Sequence, residues 1–292
     1  MKGQTANRVV VRIIFVLAVV LSLLFFRRVD ASAAELTNIK LPANGGSKTI
    51  KRDINGDGKK ESIKIGVTRL NGYYYNSVKV YINGKKVLNK SIKGCSGVSV
   101  NYVSCSAKKN YLQITGWMDG EYLHTNKIYF ISMNKLTEAA DLGQADNASM
   151  VITKVTSKSV TVRFSVQPWE TGRIRWNFVY EPSGKKLKLK SSTAKAYSEL
   201  GGFALNDGYG KYFKKNQFRV AKSRTFYTSS SLKKKAFQAK KGDILTLDKV
   251  KISGKNMYLS FKKNGKTGWC RLQKNYSVNG FWFYGVSNRL AG

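Results

Sequence analysis

Ser77-Val78-Lys79-Val80-Tyr81-Ile82-Asn83-Gly84-Lys85-Lys86-Val87-Leu88 carries the clearest structural signal in the chain. Val78, Val80 and Ile82 alternate with Lys79 and Tyr81, the period of a strand with one buried face. Asn83-Gly84 accepts the positive φ angles of a type I′ turn, and a second short apolar run comes after it, so the twelve residues read as an antiparallel hairpin. The same period extends outward in both directions, through Ser62 to Val67, Tyr111 to Thr115, Lys127 to Met133, Ser159 to Val166 and Ile174 to Tyr180. No window of comparable length carries a helical stripe, so the chain is predicted to be all-β. In the last pair Val160, Val162, Phe164 and Val166 share one face with Ile174, Trp176, Phe178 and Tyr180, and that face is expected to line a core. Thr161, Arg163, Arg175 and Asn177 are expected to look outward.

Upstream of the hairpin, Asp53-Ile54-Asn55-Gly56-Asp57-Gly58-Lys59-Lys60-Glu61 places oxygen side chains at loop positions 1, 3, 5 and 9. Asp53, Asn55, Asp57, the Lys59 carbonyl and Glu61 have the spacing that can converge on one calcium ion, and Gly58 permits the sharp turn. Position 12 is Lys64 where a helix-loop-helix hand would need Glu, and Ser62 to Val67 alternate like a strand. A competing reading is a metal-free turn held by Asx hydrogen bonds. Lys51, Arg52, Lys59, Lys60 and Lys64 surround the loop and weaken any cation site. The loop resembles those of FG-GAP-type β-propeller blades in secreted bacterial proteins. That resemblance implies an antiparallel, propeller-blade-like domain over residues 35–216 with calcium as its cofactor.

Lys2, Arg8 and Arg12 precede an apolar run from Ile13 to Phe26, and Ala31-Ser32-Ala33-Ala34 supplies small residues for cleavage. Residues 1–34 therefore read as a signal peptide. Arg27 and Arg28 directly after the run leave an uncleaved membrane anchor as the alternative. The chain holds 52 Lys and Arg against 16 Asp and Glu, a formal net charge of +36. Removing the export segment, with five basic residues and one acid, leaves +32. Such an excess calls for a polyanionic partner: teichoic acid of a Gram-positive wall, anionic lipid, or extracellular nucleic acid, of which secretion disfavours the last.

Residues 217–275 offer four or five short strands, and a domain boundary is expected near residue 216. Arg224-Thr225-Phe226-Tyr227-Thr228-Ser229, the turn Lys240-Lys241-Gly242-Asp243 before an apolar strand, and Gly268-Trp269 resemble the bacterial Src-homology-3 domain. The resemblance implies a small barrel that binds cell-wall peptidoglycan. Cys270 stands where such domains have an aliphatic residue. Tyr227 and Tyr258 are the aromatics expected at a ligand groove, while Trp269 reads as core. Residues 276–292 form an aromatic tail, in which Phe281-Trp282-Phe283-Tyr284 is expected to pack back as a terminal strand.

Cys95 and Cys105 are close enough in sequence to close a small ring worth roughly 3 kcal/mol in an oxidising exterior. Whether they bond is left open by the sequence. Cys270 has no sequence partner and reads as a buried core residue. His124, the single histidine, lies near Asp119 and Glu121, but polar turn residues cluster there by default, and no phosphate loop, paired metal-ligand spacing or serine elbow is present. The expectation is an exported, secreted or wall-associated, non-catalytic protein binding peptidoglycan or teichoic acid through its small barrel. The alternative is a surface-bound adhesin or regulator for another polyanion such as extracellular DNA or anionic lipid.

Overall fold

The period-two alternation folds, in the computed structural model, into twenty strands among the described residues. Residues 34–119, 123–143, 149–168, 170–199, 216–254, 256–272 and 282–284 are described. The strands are β1 (Glu35–Ile39), β2 (Gly46–Arg52), β3 (Glu61–Arg69), β4 (Tyr75–Ile82) and β5 (Lys85–Cys95). Then come β6 (Gly97–Ser106), β7 (Lys109–Trp117), β8 (Leu123–Ser132), β9 (Lys135–Asp141) and β10 (Ser149–Thr156). β11 (Ser159–Val166), β12 (Ile174–Ser183), β13 (Lys186–Leu189), β14 (Thr193–Ser198) and β15 (Gln217–Arg219) continue the chain. The last five are β16 (Arg224–Tyr227), β17 (Lys235–Ala239), β18 (Ile244–Ser253), β19 (Asn256–Lys263) and β20 (Lys266–Arg271).

Among the described residues they make three antiparallel sheets. One is β2-β3-β4-β5, the second β1-β6-β7-β8-β9, and the third runs β10-β11-β12-β14-β18-β19-β20-β16-β17, with β13 on β12 and β15 on β18. No sheet closes on itself among the described residues. The hairpin read from the sequence is present: Asn83 and Gly84 sit at φ 48° and 84° between β4 and β5. The Asn83 side-chain oxygen also accepts the Ser62 N–H at 2.9 Å, tying the turn to the start of β3. Asn264 and Gly265, at φ 47° and 76°, turn β19 into β20 by the same device.

The second sheet is a middle layer, because alternate residues of its strands enter different cores. Val100 and Tyr102 of β6 join Ile63, Ile65, Val78, Val80 and Leu112 under the first sheet. Val103 and Cys105 of the same strand join Tyr111, Ile128 and the inner face of the third sheet. The expected shared face is present, and the register sets Val160 opposite Tyr180, Val162 opposite Phe178, Phe164 opposite Trp176 and Val166 opposite Ile174. All eight are buried, and Phe164 stacks on Trp176 at 5.5 Å.

β14 hydrogen-bonds to β18, so residues on both sides of the expected boundary at 216 share one sheet. They also share one core, which runs from Val103 to Phe283. The C-terminal aromatics pack back where they are described, through an isolated bridge rather than the expected terminal strand. Phe283 bridges Val220, the Ala221 N–H donates to the Trp282 carbonyl, and the Tyr284 N–H donates to the Arg219 carbonyl. Phe283 packs against Phe218 and Phe261, and the Arg224 guanidinium lies 3.1 Å from the centre of the Trp282 ring. Phe281 and residues 1–33 of the export segment lie outside the described residues, and β1 begins directly after Ala34. No helix among the described residues is long and apolar enough to cross a membrane.

Cys95 and Cys105 are free, and the ring that would have joined them is not formed. The reason is the middle layer itself: Cys95 faces the first core and Cys105 the second. Burial pushes both thiols up to about 11 and Cys270 up to about 12. Unfolded thiols ionise near 8.5, so the stability held by the neutral buried thiols is complete below that pH and is lost as pH rises toward 11. We expect none of the three to react with iodoacetamide at pH 8 in the native protein, and all three to react in denaturant. We expect the urea midpoint to fall between pH 9 and 11. Reaction of only one thiol after denaturation would show a bonded pair.

Candidate functional site

Three places gather polar or charged chemistry. In the loop entering β3, the Asp53 carboxylate accepts three backbone N–H groups, from Asn55 at 3.3 Å, Gly56 at 2.7 Å and Gly58 at 2.8 Å. The Asn55 side-chain oxygen accepts the Asp57 N–H at 2.9 Å, and Asp57 accepts the Lys59 N–H at 2.7 Å and the Asn55 amide at 3.0 Å. The Lys59 N–H, then the Asn55 amide, hold the Asp57 carboxyl below its ordinary range. Glu61 is 5% exposed and accepts the Ile54 N–H at 2.9 Å. Gly56 and Gly58 take φ 78° and 83°, which the curl requires. These are successive Asx turns that shape the loop from its own amides. Among the described residues no three His, Cys, Asp or Glu side chains are gathered to hold a metal ion.

The second place is the outer face of the third sheet, where register fixes the neighbours. Lys195 stands opposite Lys249, Lys249 beside Ser260, Ser260 beside Trp269 and Trp269 beside Tyr227, with Lys235 across from Tyr227; Ser260 is fully buried, so the row is covered between Lys249 and Trp269. Two residues along each strand the row is Thr193, Lys251, Tyr258 and Arg271. Tyr227 and Tyr258 are thus brought onto one face. Trp269, expected in the core, belongs with them: it is half-buried, while its neighbours Gly268 and Cys270 point inward and are buried. A Cβ on Gly268 would stand 2.5 Å from the Phe226 side chain, which shows how tightly the inner side is filled. Tyr197 extends the face, with the Lys195 ammonium 5.5 Å from its ring centre. Sequence reading missed Trp269 because one residue of phase in a strand exchanges core for surface.

The third place is a cleft of about 740 Å³ between the middle sheet and β10, lined by Leu36, Asn38, Asn101, Gln113, Thr115 and Trp117 on one side and Ser149 to Ile152 on the other. Its floor is a chain of amides. Asn38 donates to Asn101 at 2.9 Å, Asn101 to Gln113 at 3.0 Å, Gln113 to Asn126 at 2.9 Å and Asn126 to the Met150 carbonyl at 3.2 Å. Gln113 and Asn126 are essentially fully buried, so the far end of the chain is closed off from the surface.

The residues near His124 are not brought together. Asp119 accepts the Tyr74 hydroxyl at 2.7 Å, Glu121 lies outside the described residues, and His124 lines a separate recess with Lys127 and Asp141. Lys127 is committed there to Glu138 at 2.8 Å and Asp141 at 3.1 Å, and the Glu138 bond is first among the causes that raise its pKa.

Removing the Asp53 carboxylate strands three amide donors at once. Asp53→Ala is expected to cost about 2 kcal/mol of stability, measured as a lower urea midpoint in the presence of chelator; an unchanged midpoint would mean the turns do not hold the loop. No protein-family model, curated protein or solved structure matches this chain, so its function is argued from these residues alone.

Proposed function

We propose that this is an exported, non-catalytic wall-associated protein whose outer C-terminal face binds a wall polyanion of the teichoic acid kind. The observation that carries the reading is Lys195 directly opposite Lys249 on neighbouring strands, both exposed. Like charges across a strand pair are destabilising unless an anion lies between them. Lys251 follows Lys249 on the same strand with its ammonium 2.9 Å from the Ser230 hydroxyl, Arg271 and Lys235 lie on strands farther along the face, and Tyr197, Tyr227, Tyr258 and Trp269 supply apolar platforms among them. Of the residues from 218 to 274, 16 are basic and 2 are acidic. Both acids are taken: Asp243 pairs with Lys263, and Asp248 with Lys262 at 3.3 Å. The strand order β18-β19-β20-β16-β17 of this segment supports its likeness to a small Src-homology-3-like barrel, and the β2–β5 meander its likeness to a propeller blade.

The mature chain is expected to sediment with Gram-positive walls at low salt and to be released at 1 M salt, where the Debye length is about 3 Å. Stripping teichoic acid from the walls should lower binding, and Lys195→Ser with Lys249→Ser should weaken it roughly tenfold. Equal, salt-resistant binding to stripped walls would make peptidoglycan the ligand and overturn the polyanion reading. Preference for DNA or anionic vesicles would favour the adhesin or regulator alternative.

We further propose calcium as a stabiliser of the 53–61 loop. A carboxylate offers about four acceptor sites, and the bonds at Asp53, Asp57 and Glu61 leave some of these open in a chain poor in acids. Calcium at millimolar concentration is expected to raise the melting temperature of the mature chain by a few degrees over chelator, by mass action on the folded state. Asp57→Ala should remove the difference. Identical transitions with calcium and with chelator would leave the loop as a metal-free turn.

A further inference from the structure

We propose that the cleft between the middle sheet and β10 is a binding site for a short neutral oligosaccharide. The proposal does not rest on the wall-polyanion reading, because it uses another face and the opposite chemistry. In a chain with 52 Lys and Arg, the cleft lining contains, among the described residues, a single charged side chain, Arg173. Its guanidinium is engaged by the Gln167 side-chain oxygen at 3.1 and 3.3 Å. A lining so depleted of charge selects for an uncharged ligand, since an anion would find far stronger attraction elsewhere on this molecule.

The floor matches hydroxyls. All four amides of the Asn38, Asn101, Gln113 and Asn126 chain donate in one direction, ending on the Met150 carbonyl, so each bond polarises the next. The chain begins at the exposed Asn38, whose carbonyl oxygen is its acceptor end at the rim. A side-chain amide has two donor hydrogens and two acceptor lone pairs. Asn38 and Asn101 use only part of that capacity on each other, and Ser99, Ser149 and Ser165 add hydroxyls to the lining. Vicinal sugar hydroxyls, each both donor and acceptor, fit such a surface; an acyl chain would desolvate it without recompense.

The rim supplies a stacking surface whose orientation is built in. Trp117 is 39% exposed and lines the cleft. It stands opposite Gly97, and a Cβ at Gly97 would meet the indole at 2.0 Å. The ring therefore lies down on β6 because that residue has no side chain, and a fixed indole costs little entropy when a pyranose C–H face settles on it. A cleft of about 740 Å³ lies in the size range of small-ligand sites.

Titration of the mature chain with triacetylchitotriose and with maltotriose, followed by tryptophan emission and calorimetry, tests the site. We expect at least one trisaccharide to bind with a Kd of about 1 mM or tighter, with affinity unchanged at 1 M salt. Trp117→Ala and Asn101→Ala should each weaken it at least tenfold; Trp117→Ala should do so without lowering the melting temperature appreciably, whereas Asn101→Ala also strands the buried Gln113 oxygen and lowers it. Gly97→Ala, which displaces the indole but keeps it, should weaken it comparably. A preference for the acetylated sugar or for the plain one identifies which substituents the amides read, and either supports the proposal. Failure of both sugars to bind at about 10 mM, binding indifferent to Trp117→Ala, or saturable binding of decanoate alone would overturn it.

Discussion

The short ladder between β14 and β18 holds the larger half of the architecture together. Three residue pairs, Thr193 with Lys251, Ala194 with Val250 and Lys195 with Lys249, join strands that are about fifty residues apart in sequence. Through them β10 to β14 and β15 to β20 become one sheet, and their inner faces become one core with Trp176 near one end and Phe283 near the other. Ala196 of β14 is fully buried at this seam, where a larger side chain would force the two halves apart. The outer consequence of the same ladder is the lysine pair. A register that turns alanine inward at 194 and 196 leaves residue 195 no choice but the surface.

Local patterns made much of this legible. Alternation in β11 and β12 foretold their buried face, and Asn83-Gly84 foretold its turn, because both are set by interactions close in sequence. The second Asn-Gly turn, at Asn264 and Gly265, carries the same signal between strands that were already expected. What could not be read is whatever depends on distant partners. The β14 to β18 seam crosses residues chosen as a boundary for their weak periodicity. Cys95 and Cys105 look paired along the chain, but the layer between the cores separates them. The cleft has no local signature at all: Asn38, Asn101, Gln113 and Asn126 come from four strands and meet only because β1, β6, β7 and β8 lie in that order.

The molecule also divides its chemistry by place. The middle sheet turns one face partly into a floor of amides with almost no charge, while the far half of the third sheet carries closely spaced ammonium groups among tyrosines and a tryptophan. Amides satisfied by one another tolerate burial, as Gln113 and Asn126 show, whereas lysines do not, so the two kinds of surface separate by cost of desolvation alone. The acids are spent mainly on structure. Glu35 holds Arg52, Asp53 holds a turn, Glu199 holds Arg175 at 3.4 Å and Asp243 holds Lys263. Few are left to offset the outer face.

Because none of the three sheets closes among the described residues, each presents open edges with unpaired backbone groups, the usual template for one copy of a chain to add itself to another. The edge strands β2, β5, β9, β10, β13 and β17 carry lysine, among them Lys48, Lys85, Lys135, Lys154, Lys186 and Lys235, every one exposed, while the edge strand β1 carries none. Like charge on these edges opposes their pairing with a second copy. On the proposed reading, a surface dense in negative charge would neutralise that repulsion just where it concentrates the protein. Solubility and capture would then be coupled in opposite senses, with edges that repel one another in solution free to meet on an anionic matrix.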